Sequence, residues 1–219
     1  MLTISRNQVF NKSESLEKAG KALVKGKIDK AIVEYKKILE ADPDNFVIRG
    51  KVAPLYAEQN KMLEAWTNFK ASAHGYSRAG FVAKALGVYA QATQYLPNEL
   101  ELWDSIARIQ LEKGMKVDAI ETLNRASENF SDSKSLNKAV YLLKKAFNIQ
   151  PWHYDTTLSL ADDLSRVGSI PAKVEAIGLY TGLADRVKGP RLRVVRYRHF
   201  KASPGFGTFW RYLKSVFKD

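Results

Sequence analysis

No cysteine occurs in the 219 residues, which removes disulfides, thiolate metal sites and cysteine nucleophiles together and fits a reducing compartment. Histidine is almost as scarce. His74, His153 and His199 lie too far apart in sequence for any two to share one helix face, so no metal or other cofactor is expected. Long apolar runs are missing as well: nothing approaches the roughly 20 consecutive apolar residues of a membrane span. The opening MLTISRNQVFNKSES lacks the uninterrupted apolar core of a secretory signal, so a cytoplasmic location is expected. There is also no glycine-rich phosphate loop, nucleophile elbow or HExxH motif. Asp162 and Asp163 look like a carboxylate pair, but adjacent helical residues point about 100° apart and are not aimed at one site. Asp42 and Asp44 flank a proline and suit turn and cap chemistry. This inventory predicts a protein that is not an enzyme.

Acidic residues are lacking in one region in particular. The net charge is +12, and from Arg186 to Asp219 ten Lys or Arg stand against one acid, net +9, which leaves +3 for the preceding 185 residues. A nearly balanced body therefore carries a basic tail, which suits an acidic partner surface.

What the chain does have is a repeat. Pro43, Pro97 and Pro151 are spaced by 54 residues, and the same step superposes Ala31/Ala85/Ala139 and Ala53/Ala107/Ala161. Apolar positions follow: Tyr35/Tyr89/Leu143, Ile38/Ala92/Ala146, Val52/Ile106/Leu160 and Phe69/Leu123/Ile177. A fixed period of this size implies stacked helical units, each burying its apolar face against its neighbours. Ile28, Ala31, Ile32, Tyr35, Ile38 and Leu39 form a helical stripe that ADPDN stops, which predicts a helix over 28–41 and its equivalents over 82–95 and 136–149. A second helix follows each proline (46–59, 100–113, 154–167), and a third runs over 62–79, 116–129 and 170–187. A first helix over 13–25 ends at Gly26, as Gly114 and Gly168 end later ones.

These residues resemble the tetratricopeptide repeat family. Trp103, Ile106, Ala107, Gly114, Ala119, Leu123 and Ala126 match its order and spacing, as do Ala73, Tyr76, Gly80, Ala85, Tyr89, Ala92 and Pro97. Val52, Ala53, Tyr56, Ala65 and Phe69 also match, while Gly26, Ala31, Tyr35, Ile38 and Pro43 match its second half and Leu160, Ala161, Leu164 and Gly168 its first. The physical basis is small residues that admit a neighbouring helix beside aromatics that fill the space between turns. The departure is the period, one family repeat plus about one extra helix. Residues 62–79 then either serve two pairs at once or belong to three-helix units. The resemblance implies a peptide-binding concave face carrying Lys51, Lys70, His74, Arg78, Asp104, Ser105, Arg108 and Glu112. The family's carboxylate clamp is not completed, because Gly50 and Pro54 stand where polar groove residues would be wanted.

After Gly189 the pattern fails. PRLRVVRYRHFKAS scatters arginine over every helical face and is expected to be an extended or irregular linker, with Arg191, Arg193, Arg196, Arg198 and Lys201 beside Tyr197, His199 and Phe200. That mixture also suits single-stranded nucleic acid. TFWRYLKSVFKD is expected to be a short helix with Phe209, Trp210, Leu213, Val216 and Phe217 on one side and Arg211, Lys214 and Lys218 largely on the other. Such a helix can cap the repeats, enter a partner's groove or lie on an anionic membrane.

The sequence thus predicts an all-α protein. A right-handed, tetratricopeptide-like solenoid of about ten antiparallel helices spans 13–189, after an N-terminal extension over 1–12. A basic linker over 190–205 and a basic amphipathic helix over 206–219 follow. The expected role is a non-enzymatic scaffold or adaptor that binds partner proteins through the groove and the tail. The alternatives are a recruiter peripheral to the inner face of a membrane and, last, a nucleic-acid binder; self-association through exposed terminal repeats is a further route.

Overall fold

A computed structural model describes residues 11–216, and among these there are twelve α-helices and no strand. The chain divides into two compact units at Pro97 and Asn98. The first holds α1 (Lys12–Val24), α2 (Ile28–Ala41), α3 (Phe46–Glu58), α4 (Met62–Arg78) and α5 (Val82–Tyr95). The second holds α6 (Leu100–Glu112), α7 (Lys116–Glu128), α8 (Leu136–Ile149), α9 (Tyr154–Val167), α10 (Ile170–Ala184), α11 (Gly189–Ala202) and α12 (Phe206–Val216). Within each unit every helix packs on the next in sequence, the simplest way for short connections to bury successive apolar stripes.

The 54-residue period is legible in the turns. Asn60, Gly114 and Gly168 are equivalent by that step, and all three have positive φ, at 59°, 74° and 78°. A left-handed residue lets the chain reverse in a turn too short for any other route, and asparagine is the side-chain-bearing residue that tolerates it most readily. Asn60 therefore does at the first position what glycine does at the other two. Local caps define several helix starts: Asn11 Oδ1 accepts from Glu14 N (3.2 Å), and Asn45 Oδ1 accepts from Ile48 N (3.1 Å).

The alanine triads are buried between the helices. Ala31, Ala85 and Ala139 are each fully buried, as are Ala53 and Ala161, with Ala107 at 1% exposure. Larger residues fill the space beside them. In the first unit Tyr35, Ile38, Ile48, Val52 and Leu55 form one cluster with Ala19 and Ala31. In the second, Leu143, Leu160, Leu164, Tyr180, Leu183 and Val195 form another. The fully buried alanines leave no room for a larger side chain, and density of this kind resists volume change in either direction.

The predicted linker is not extended. Residues 190–205 are mostly α11, a helix that enters through Pro190 in its first turn and packs on α10 and α9. Proline is well placed there, since the first helical N–H groups have no intrahelical acceptor. Val195 is fully buried and His199 is 8% exposed. With half-buried Leu192 and Ala202 they make a stripe at i, i+3, i+7 and i+10. The stripe was hidden because histidine takes an apolar position and arginines crowd the remaining faces. It is α11 that covers the end of the α9–α10 pair, and α12 packs in turn on α11. Phe217, expected on the apolar side of the last helix, lies outside the described residues.

Candidate interaction surfaces

The eight expected groove positions divide between the two units. Lys51 is on α3 and Lys70, His74 and Arg78 are on α4, two helices that pack together. Lys51 and Arg78 are exposed, while Lys70 and His74 are half-buried. The Lys70 ammonium lies 5.9 Å from the centre of the buried Trp66 ring, covering an aromatic face with a cation.

The other four, Asp104, Ser105, Arg108 and Glu112, are on α6. Ser105 is 4% exposed and cannot offer its hydroxyl to a partner. Asp104 pairs with Lys145 of α8 and accepts from Tyr141 Oη (3.4 Å), so its charge is used within the unit. Burial pulls the Lys145 ammonium down, but the hydrogen bond and charge of Asp104 outweigh it and hold it above its ordinary value. Arg108 and Glu112 lie 3.8 Å apart, one helical turn along the same exposed face.

The tail arginines are also committed. The Arg191 guanidinium lies 4.7 Å from the centre of the Tyr154 ring. Arg196 Nη1 donates to the Arg211 carbonyl (3.2 Å), and Arg198 Nη1 donates to Asp162 Oδ2 (2.8 Å). Arg193 is half-buried. The interleaved arginines and rings that suited single-stranded nucleic acid thus belong to a packed helix, with the Arg191, Arg196 and Arg198 guanidiniums turned to intrachain partners.

Asp162 is the junction that sequence reasoning missed. It accepts from Tyr180 Oη (2.6 Å) and from Arg198, tying α9 to α10 and α11. Asp163 turns away to Arg166 (2.7 Å), as the angular argument required. Burial, reinforced by the neighbouring Asp162 carboxylate, pushes the Tyr180 hydroxyl far above its ordinary range. His199 stacks on Tyr180 with centroids 5.6 Å apart and planes 14° from parallel. Burial and then the Arg211 cation push its imidazole below its ordinary value, which keeps it neutral at neutral pH.

Two clefts lie on the surface of the described residues. One of about 430 Å³ between α1 and α2 is walled by Lys18, Lys21, Lys25, Lys27 and Lys30. Its two carboxylates are engaged, Asp29 accepting from Gln59 Nε2 (2.7 Å) and Glu34 from Lys37 Nζ (2.7 Å). The spacing of Lys18, Lys21 and Lys25 was the available signal. The other, about 370 Å³, lies beside α7 and the start of α9 and includes Glu121, Glu128 and Asp155. Its floor is ordered by the Asn124 amide, which donates to Thr156 Oγ1 (2.8 Å). Among the described residues no group of three or more His, Asp or Glu could hold a metal, and no helix is long and apolar enough to cross a membrane.

α12 carries the remaining candidates. Tyr197 meets Tyr212 with centroids 5.5 Å apart, and Phe200 meets Phe209 at 5.6 Å. Arg211 Nε donates to the Gly207 carbonyl (3.1 Å). Leu213 is half-buried, whereas Phe206, Phe209, Trp210 and Val216 are exposed.

Antiparallel helices joined by left-handed turn residues, with alanines at the seams and aromatics between them, define a helical-repeat fold of the tetratricopeptide type. No family model matches the chain, and no curated protein matches it. Solved structures similar in fold include PilW, described as a widely conserved type IV pilus biogenesis factor. It is 15% identical, covering 97% of this chain and 95% of its own, with a TM-score of 0.44. Pseudomonas aeruginosa PilF is 17% identical over 94% of this chain and 92% of its own, with a TM-score of 0.38. A tetratricopeptide repeat protein from Parabacteroides merdae is 15% identical over 94% and 91%, with a TM-score of 0.32.

Proposed function

We propose that the protein is a non-enzymatic interaction scaffold. Its repeat units would hold partner proteins reversibly on their exposed helix faces, and the α11–α12 hairpin would add a second contact. The observation that carries this reading is the outward display of aromatic side chains on α12, a helix whose support, α11, is itself fixed to the repeats by Val195, His199 and the Arg198–Asp162 pair. Exposed rings on a rigid base make contacts at low entropic cost. In the first unit Lys51, Lys70 and Arg78 supply a cationic face for an acidic partner segment. Placing two contacts on one molecule raises effective concentration where one assembly offers both targets.

The test is retention of partners from an extract of the source cells by three forms: the full chain, a chain ending at Ser203, and Lys51→Glu/Arg78→Glu. Ending at Ser203 removes α12 but keeps α11, whose loss would uncover the α9–α10 core. Proteins lost from the charge-reversed form place recognition on the first unit, and those lost with α12 place it on the hairpin. Retention of nothing above an unrelated helical-repeat control refutes the scaffold reading.

A further inference from the structure

The last helix turns the wrong side inward for a capping element. Its inward edge carries Thr208, Phe209, Tyr212 and Ser215, and the Phe209 ring meets Phe200 of α11 at 5.6 Å. Thr208 Oγ1 donates to the Ser203 carbonyl (2.9 Å), the Tyr212 ring meets Tyr197, and Ser215 is 7% exposed. Phe206 and Trp210 are centred roughly 150° around the helix from that edge. Phe206 is accordingly 79% exposed and Trp210 45%. Their rings pack on one another, Phe206 against Trp210 at 5.9 Å and Phe209 against Trp210 at 6.5 Å, which forms a continuous aromatic ridge rather than isolated exposed residues. Lys214 flanks the ridge beside Trp210 while Arg211 turns toward the His199 cavity, and no carboxylate occurs from residue 186 through residue 216.

The chemistry of the ridge selects its occupant. A second copy of the chain would bring two cationic hairpins together without a counter-charge. Bases of a single strand need free ring faces beside free guanidiniums, whereas these rings are engaged edge to face and the α11 arginines are engaged within the chain. A bilayer rich in anionic lipid satisfies both features at once. Aromatic rings settle at the headgroup boundary, and cations at the same depth meet lipid phosphates.

We infer that α12 is a docking helix for an anionic membrane surface. It lies in the headgroup plane with Phe206 and Trp210 inserted and with Lys214 against phosphate. This rests on the reading of the hairpin as a contact element and names what that contact meets. The face needs no refolding to act, because α11 already holds it outward.

Co-sedimentation of the full chain with vesicles tests the inference. The chain is expected to bind equimolar phosphatidylcholine–phosphatidylglycerol vesicles and to remain in solution with phosphatidylcholine alone. Phe206→Ser/Trp210→Ser should weaken binding by about tenfold or more, and Lys214→Gln by about fivefold. Trp210 fluorescence should be quenched by lipids brominated in the acyl chain, a quenching absent from Trp210→Phe. Circular dichroism of each variant checks that the helices persist, and Lys214→Gln serves if the double substitution unfolds. Absence of binding to anionic vesicles at low salt overturns the inference, as does binding unchanged by the double substitution in a folded protein. If vesicle binding is absent while protein retention still depends on Phe206 and Trp210, the lipid assignment fails and the contact element stands. If neither depends on them, both fail.

Discussion

Replacing Val195 with alanine isolates the claim that α11 is a packed helix, because its neighbour provides the control. Val195 is fully buried in the cluster that holds Leu160, Tyr180 and Leu183, while Val194 is 41% exposed. An irregular linker would make the two valines equivalent. In the helix, Val195→Ala removes two methyl groups from the core, a transfer loss of about 1.6 kcal/mol at about 0.8 kcal/mol per buried group. The cavity left behind brings the cost to about 2–2.5 kcal/mol. Val194→Ala should stay within about 0.5 kcal/mol of the parent. With a urea dependence of about 2 kcal/mol per molar, Val195→Ala shifts the midpoint down by about 1 M. Urea titration followed by far-UV circular dichroism and tryptophan fluorescence reads this, since Trp152 packs against the same cluster. Equal midpoints for the two variants would refute the placement of α11 and, with it, the support of α12.

Two further expectations follow from the same packing. A Cβ on Gly75 would fall 2.3 Å from Phe46 Cβ, whereas one on Gly87 meets nothing within 4 Å. Gly75→Ala should therefore cost about 1–3 kcal/mol through overpacking, and Gly87→Ala should stabilise by about 0.5–1 kcal/mol through helix propensity; thermal melts that move in the same direction would contradict this. The second concerns pH. His199 faces the Tyr180 ring, and Arg196, Arg211 and Asp185 line the same small cavity of about 60 Å³. Its folded pKa is lowered, so the unfolded chain takes up the proton first as pH falls. The contribution to stability is complete above about pH 6.5 and is lost as pH falls from there through the lower folded value. Stability should decline more steeply with acidification in the parent than in His199→Gln, and identical slopes between about pH 7 and about pH 5 would contradict it.

The repeat, the helix boundaries and the seam residues were determined by sequence. Helices at 28–41, 82–95 and 136–149 coincide with α2, α5 and α8, because periodic apolar stripes stopped by proline turns are local signals. Burial of both alanine triads follows too, since only small residues permit the close approach that the repeat demands. Tertiary structure decided the rest. α11 is a helix because α9 and α10 leave a place for Val195 and His199, and a histidine is legible as a core residue only when its neighbour, Tyr180, is known. Ser105 is buried and Asp104 is paired with Lys145 of α8 because packing decides which α6 side chains stay exposed. The direction of the aromatic ridge on α12 likewise could not be read from its amphipathicity, which defines an apolar side but not which side meets the protein. That choice rests on Phe209 and Tyr212 meeting Phe200 and Tyr197 of α11, which leaves Phe206 and Trp210 exposed.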